Sequence, residues 1–241
     1  MRTGAQVRRG PGRPASGAAG DASRREKILD AAEEEFAERG FRPTSLRRIA
    51  ERANVNPALI GYYFGSKEAL FEIVFKRRGN EVAARWNELL DALLARPGRR
   101  PSAEELIRAY LTAEFEMKCS GPAGERFVRF QARVHDETDA LHFRLRREVY
   151  DAATKRYLVA LEHALPGVDP AEIQWRMVFI IGAFLYMMGG VDRLEDLSSG
   201  RYAANDVDEI VARLTTFALG GMRSPSTKLP GRRSRGVVRR A

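Results

Sequence analysis

Apolar residues return at steps of three and four along almost the whole chain, and no stretch sustains the two-residue alternation of a half-buried strand. Ile28, Leu29, Ala32 and Phe36 share one helical face, and Leu46, Ile49, Ala50 and Ala53 share another. Leu70, Phe71, Val74 and Phe75 form a third. Further amphipathic stretches run over 81–95, 102–118, 124–134, 138–165, 170–190 and 206–221. Pro97-Gly98, Gly121-Pro122, Pro166-Gly167 and Ser198-Ser199-Gly200 separate several of them, at residues that end helices by lacking a donor or by admitting left-handed backbone. The expected fold class is all-α, with no repeat of solenoid period.

A chain of 241 residues has room for one large domain or two small ones around a buried core. Its net charge of +9 is unevenly placed. Residues 1–25 carry +5 and residues 223–241 carry +7, whereas 26–80 is +1 and 81–222 is −4. Both ends are rich in Gly, Pro, Ser and Arg without an apolar period, so 1–23 and 223–241 are expected to be a disordered basic arm and tail. Such ends read equally as solvated extensions or as nucleic-acid contacts. No apolar segment of signal-peptide type occurs near residue 1. The longest uncharged apolar run, Met177–Val191, has 15 residues where a spanning helix needs roughly 20, and reads as a core or interface helix. One cysteine, Cys119, permits no internal disulfide, and a cytoplasmic location is expected. There is no phosphate-binding Gly loop, nucleophile elbow or zinc motif, so no enzyme is expected. His135, Asp136, Asp139 and His142 lack a supporting ligand pattern; neither a metal nor another cofactor is expected.

The most informative segment lies between residues 24 and 78. Ser23 suits the N-cap of a first helix ending at Arg39 and Gly40, with Glu33–Glu35 facing water. Thr44 is the expected cap of a short second helix that breaks at Asn54 and Val55. Asn56 caps a third, with Pro57 at its first position, where the missing N–H costs nothing. That helix closes at Gly65, and Ser66 caps a fourth. Two short helices joined by a tight turn match a helix-turn-helix, whose second helix enters the major groove while the first braces it. Ala50 and Ala53 permit a close crossing, and Val55 and Ile60 would plug the seam. A generic helical hairpin has the same spacing, so spacing alone leaves both readings open.

The residues themselves go further. Thr44-Ser-Leu-Arg-Arg-Ile-Ala50 and Ala53-Asn-Val-Asn-Pro-Ala-Leu-Ile-Gly-Tyr-Tyr-Phe-Gly-Ser-Lys-Glu-Ala-Leu70 closely resemble the N-terminal region of the TetR family, over about residues 25–78. The resemblance implies a homodimeric repressor released from a palindromic operator by a small ligand. It also implies roles by position. Thr44 and Ser45 open the second helix toward a phosphate. Arg47 and Arg48 reach the DNA backbone or groove edge. Asn56, Pro57, Ala58 and Leu59 form the base-reading start of the third helix. Tyr62 and Tyr63 meet phosphate or sugar, and Lys67 clamps a phosphate. Two positions depart from the pattern: many relatives have tyrosine at Gly61 and often histidine at Tyr63. The apolar start Pro57–Leu59 implies recognition through thymine methyls, Asn56 and DNA shape more than Arg–guanine pairs. Ahead of it, Arg8-Arg9-Gly-Pro-Gly-Arg13-Pro14 resembles an AT-hook core, which would lay Arg8, Arg9 and Arg13 in a minor groove.

Residues 79–222 are expected to form a helical domain for dimerisation and ligand sensing. The stretch 173–190 is apolar nearly all round and must be covered on several sides. Together with 206–221 it would give a two-fold four-helix interface carrying Phe179, Gly182, Ala183, Tyr186, Ile210, Leu214 and Phe217, as in the resembled family. A core helix of a monomer is the plainer reading. Trp86, Tyr110, Phe115, Met117, Phe127, Phe130, His135 and Tyr150 are candidates for an effector pocket, although aromatics at such spacing also make ordinary core. Two other classes stay open: a DNA-binding protein without an effector, and an all-α protein-interaction module.

Overall fold

The computed structural model describes residues 16–136, 139–188, 193–203 and 206–226; among them are helices and connecting turns but no strand. The helices are α1 (Ser16–Arg39), α2 (Leu46–Ala53), α3 (Pro57–Phe64), α4 (Lys67–Leu94), α5 (Ala103–Cys119), α6 (Pro122–Asp136), α7 (Ala140–Ala164), α8 (Pro170–Met188), α9 (Arg193–Leu197) and α10 (Val207–Arg223). The chain divides into two compact units between Val74 and Phe75, inside α4.

In the first unit, α1 begins at Ser16 instead of Ser23, so part of the stretch expected to be disordered is helical. Ala18 and Ala19 favour this, because extending an existing helix is far cheaper than nucleating one. The unit's interior is Ile28, Leu29, Ala32, Phe36, Ile49, Ala50, Ile60, Phe64, Leu70, Phe71 and Val74. Phe71 stands edge-on to Phe36 and Phe41, with ring centroids 4.8 and 4.9 Å away. Glu33 and Glu35 are buried, not water-facing as their charge suggested. The reason for Glu35 is what α2 brings to it. Arg48 Nε lies 3.2 Å and Arg39 Nε 3.3 Å from Glu35 Oε2, and Arg52 Nε lies 3.0 Å from Oε1. A carboxylate is tolerable in the interior when guanidinium groups replace its lost water. Arg52 continues outward to Glu38 at 2.8 Å and Glu34 at 3.2 Å; the hydrogen bond to Glu38 holds this guanidinium firmly charged.

In the second unit, α5 packs against α6, α7 and α10, while α8 packs against α6, α7 and α10. Gly79 and Asn80 do not interrupt α4, which runs unbroken through to Leu94. Gly79 serves packing: a Cβ there would stand 2.9 Å from Val149 Cγ1 and 3.2 Å from Tyr150 Oη. Ser102 and Glu105 start α5 with a reciprocal capping box. The α5–α6 turn is tighter still, since a Cβ on Gly124 would lie 2.0 Å from the Met117 carbonyl oxygen. Arg176 of α8 is buried and donates to the carbonyls of Met222 at 2.9 Å and Pro225 at 3.2 Å, tying down the end of α10. The core otherwise consists largely of apolar side chains, with Glu114, Gln131, His142, Ser198 and Thr215 as further buried polar groups.

Two consequences can be measured by denaturant unfolding. Gly124→Ala destabilises the chain by about 2–3 kcal/mol because backbone must move, whereas Gly61→Ala, with open space around it, stabilises by up to about 1 kcal/mol. Burial pushes the Glu114 carboxyl up to about 8 from an ordinary 4.5, and the hydrogen bond from Gln131 offsets this only in part. Between those values the unfolded chain has lost a proton that the folded chain keeps. Stability therefore falls as pH rises from about 4.5 through about 8 and levels beyond. Glu114→Gln removes that slope, which is on the order of a few kcal/mol in total; an unchanged slope would place the titration elsewhere.

Candidate functional site

The turn between α2 and α3 is closed by Asn54, whose left-handed backbone (φ 52°) lets Val55 N–H reach the Ala50 carbonyl at 3.0 Å. Asn56 Oδ1 then accepts from Ala58 N–H at 2.9 Å, and Pro57 occupies the first turn of α3. Ile60 and Phe64 point inward, and Gly65, at φ 75°, ends the helix. These anchors leave Asn56, Pro57, Ala58, Gly61 and Tyr62 exposed and Leu59 half-buried. The start of α3 thus offers methyl groups, one side-chain amide and the positive end of a short helix dipole on a single face.

The other expected DNA contacts divide into free and engaged groups. Ser45, not Thr44, is the N-cap of α2, accepting from Arg48 N–H at 3.3 Å. Thr44 is buried instead: its hydroxyl donates to the Gly40 carbonyl at 2.8 Å and the Glu35 carbonyl at 3.2 Å, locking the α1–α2 turn. Arg47 is exposed and donates to Glu51, one turn on, at 2.9 Å. Arg48 is held by Glu35. Tyr62 is 78% exposed, the most open of the large apolar side chains described. Tyr63 is half-buried and donates its hydroxyl to Asp21 of α1, a bond that raises the phenol's pKa. Lys67 donates to the Thr44 carbonyl at 2.8 Å and the Arg42 carbonyl at 3.3 Å, and its ammonium lies 4.3 Å from the centre of the Phe41 ring. Partial burial lowers its pKa. Arg8, Arg9 and Arg13 lie outside the described residues.

In the second unit, α8 has two apolar faces. Ile173, Met177, Ile180, Phe184 and Met188 are buried within the chain, while Trp175, Val178, Phe179 and Tyr186 are each more than half exposed. Phe217 of α10 is 74% exposed, Gly182 is exposed, and Ala183 and Leu214 are half-buried. Ile210 is a correction: it is buried within its own chain, because it points from α10 into the core. Trp175 and Val178 join the exposed face although the sequence reading passed over them; their spacing to Phe179, Gly182 and Tyr186 was the available signal. By length and composition α8 is apolar enough to cross a membrane, and about a third of it is buried within the chain.

Seven of the eight pocket candidates, all but His135, are buried. Trp86 stacks on Tyr110 at 4.3 Å and donates Nε1–H to the Tyr110 carbonyl at 2.8 Å. Tyr150 meets Trp86 at 5.5 Å, Phe75 at 5.7 Å and the half-buried His135 at 6.1 Å. Phe130 is edge-on to Phe75 at 5.8 Å and adjoins Phe127 at 6.4 Å. Phe115 and Met117 complete the α5 side. Among these rings sit two groups absent from the sequence reading. Glu114 Oε1 accepts from Gln131 Nε2 at 3.1 Å, yet Glu114 Oε2 and Gln131 Oε1 have no hydrogen-bond partner among the described residues, and the buried Tyr150 hydroxyl has at most a weak hydrogen bond from the Gln131 side chain. Leaving such a group unmatched costs about 1–3 kcal/mol, so two adjacent unmatched acceptors call for a reason. Both residues lie on the inner stripe of their helices, with Tyr110, Leu111 and Phe115 beside Glu114, and Phe127 and Val128 before Gln131. Their position in that stripe was the signal in the sequence. His142 is buried at the start of α7 with Nδ1 2.5 Å from Oδ1 of Asp139, the N-cap of that helix.

Comparison with known proteins bears on both units. A model described as bacterial regulatory proteins, tetR family, matches residues 28–74, and one described as tetracyclin repressor-like, C-terminal domain, matches residues 108–221. The HTH-type transcriptional regulator BetI of Paraburkholderia phymatum is 28% identical over 108 residues, covering 44% of this chain and 52% of that protein. BetI of Burkholderia mallei is 27% identical over 121 residues, covering 48% and 57%. The chain thus spans about half the length of the curated relatives it matches. Among solved structures, a TetR family transcription regulator from Marinobacter aquaeolei aligns with TM-score 0.57 at 19% identity, covering 85% of this chain and 97% of that one. The transcriptional regulator FadR from Bacillus subtilis, in complex with stearoyl-CoA, aligns with TM-score 0.54 at 19% identity, covering 82% and 98%. These likenesses agree with the all-α fold. With one family model on the helix-turn-helix unit and another on most of the second unit, the chain belongs to the TetR family of transcriptional regulators.

Proposed function

We propose that the chain acts in the cytoplasm as a homodimer that binds a palindromic operator, represses transcription there, and is released by a small ligand. The observation that carries this reading is the start of α3, exposed at Asn56, Pro57, Ala58 and Tyr62 while Ile60 and Phe64 hold the helix from behind. Ala58 and Leu59 supply methyl contacts to thymine, and the Asn56 amide N–H groups, its oxygen being used in the cap, are left to donate. Ser45, Arg47 and Tyr62 contact phosphate and sugar, positioning without reading sequence. Lys67 has three N–H donors, two of them on the Arg42 and Thr44 carbonyls, so it orders the turn while a third meets a phosphate. Arg8, Arg9 and Arg13 are assigned to the neighbouring minor groove.

Dimerisation is supported by the outward face of α8 and α10. Trp175, Val178, Phe179 and Tyr186 of α8 and Phe217 of α10, two helices that pack together, are large apolar side chains left exposed. A second copy related by a two-fold axis covers it and places two copies of α3 on two half-sites. The interior of the second unit is assigned to the ligand.

Selection from a random duplex pool tests the reading. The intact chain should enrich a palindrome whose half-sites are rich in A·T pairs; no enrichment would defeat it. Phe179→Asp combined with Phe217→Asp should sediment as a monomer and bind the selected duplex about tenfold more weakly or worse, since avidity between half-sites is lost. A dimer that persists in this variant would move the interface elsewhere.

A further inference from the structure

We infer that the ligand of the second unit is a lipophilic organic cation with an N–H head, held by Glu114, Gln131 and Tyr150. This rests on the reading that the unit senses a small molecule. Three helices contribute to the site: Glu114 from α5, Gln131 from α6 and Tyr150 from α7. The unmatched oxygens of Glu114 and Gln131 and the Tyr150 hydroxyl can all accept a hydrogen bond, and a protonated amine is the small group that offers several donors from one atom. Glu114 is the one buried carboxylate among the described residues of this unit, and its hydrogen-bond partner is the neutral Gln131 rather than a basic side chain. An anionic head would meet the unmatched oxygens of Glu114 and Gln131, which can only repel it.

The surroundings suit the rest of such a molecule. Trp86 touches both Tyr110 and Tyr150, and Phe115, Phe127 and Phe130 are fully buried nearby on α5 and α6. Ring faces attract cations most strongly where water is excluded. Gly79 lets α4 approach Tyr150 closely, so the hydroxyl is boxed in from that side. The titratable groups facing Glu114 are Tyr110 of α5 and Tyr150 of α7, which burial keeps neutral, and His135 of α6 lies against the Tyr150 ring with centroids 6.1 Å apart. From α4 and α8 the packed neighbours of these tyrosines are Trp86 and Phe184, which do not titrate. Binding is then an exchange: the Glu114 carboxyl loses its proton to the buffer, and the ligand's ammonium takes its place beside the carboxylate. No bond to carbon changes. Admission of the ligand requires the surrounding rings to repack.

Three probes of one skeleton test this on the full chain: 4-phenylbutylamine, 4-phenylbutanol and 4-phenylbutyrate, by titration calorimetry at pH 7 in buffers of different ionisation enthalpy. The amine should bind saturably, once per chain, with proton release, and at least about tenfold more tightly than the alcohol or the acid. Glu114→Gln, isosteric with the protonated acid, should keep its helical circular dichroism, bind the amine about tenfold more weakly or worse and release no proton. Gln131→Leu should also weaken the amine without abolishing proton release. No binding of the amine, equal binding of the acid, or unchanged amine binding in Glu114→Gln would overturn the inference. Binding of the unliganded chain to its selected duplex is measured alongside. Enrichment of a palindrome without amine binding rejects the ligand class alone, whereas no enrichment rejects the regulator reading beneath it.

Discussion

An eight-residue helix has too few internal hydrogen bonds to persist by itself in water, so α3 exists only because other parts of the chain hold it. Asn56 and Gly65 close its ends, and Ile60 and Phe64 anchor one side. The platform beneath is α2, which is itself eight residues long and equally unable to stand alone. It is fastened to α1 at Glu35, a buried carboxylate surrounded by Arg39, Arg48 and Arg52. Removing one partner of such a cluster leaves charge stranded in the interior, so the arrangement is rigid by necessity. The exposed edge of α3 inherits that rigidity, and a base-reading edge must be rigid to discriminate.

The second unit meets a different constraint. α8 is apolar on opposite sides, and one chain can bury only one of them. Burial of Ile173, Ile180 and Phe184 leaves Phe179 and Tyr186 facing out, which makes a partner an economical solution. Inside, close aromatic packing is interrupted by a polar cluster that the fold does not need. Apolar residues at 114 and 131 would pack without an unmatched acceptor, so these positions are occupied at a cost to stability.

Much of the architecture was legible in the sequence because periodicity and punctuation act locally. Gly40, Asn54, Asn56, Gly65 and Ser66 set helix ends through their own backbone preferences, and the structure has each where that chemistry places it. What could not be read depended on distant partners. Glu33 and Glu35 look like surface charges until α2 arrives with its arginines. Thr44 and Ser45 are both good caps, and the choice between them turns on the Gly40 carbonyl accepting the Thr44 hydroxyl. Gly79 looks like a helix end, but the side chains of Val149 and Tyr150 make it a packing position within a continuous helix. The same holds for Tyr63, whose hydroxyl is taken up by Asp21 from a stretch that composition marked as unstructured.

The central claim is that the start of α3 lies in the major groove, once in each half of a two-fold complex. It can be tested directly by attaching a DNA-cleaving metal chelate through a cysteine at position 58, in a chain whose exposed Cys119 has been replaced by serine. On the selected duplex the account predicts two symmetric clusters of cleavage, separated by about one helical turn of 10 base pairs or a multiple of it. A single cluster, or cleavage spread evenly along the duplex, would contradict it.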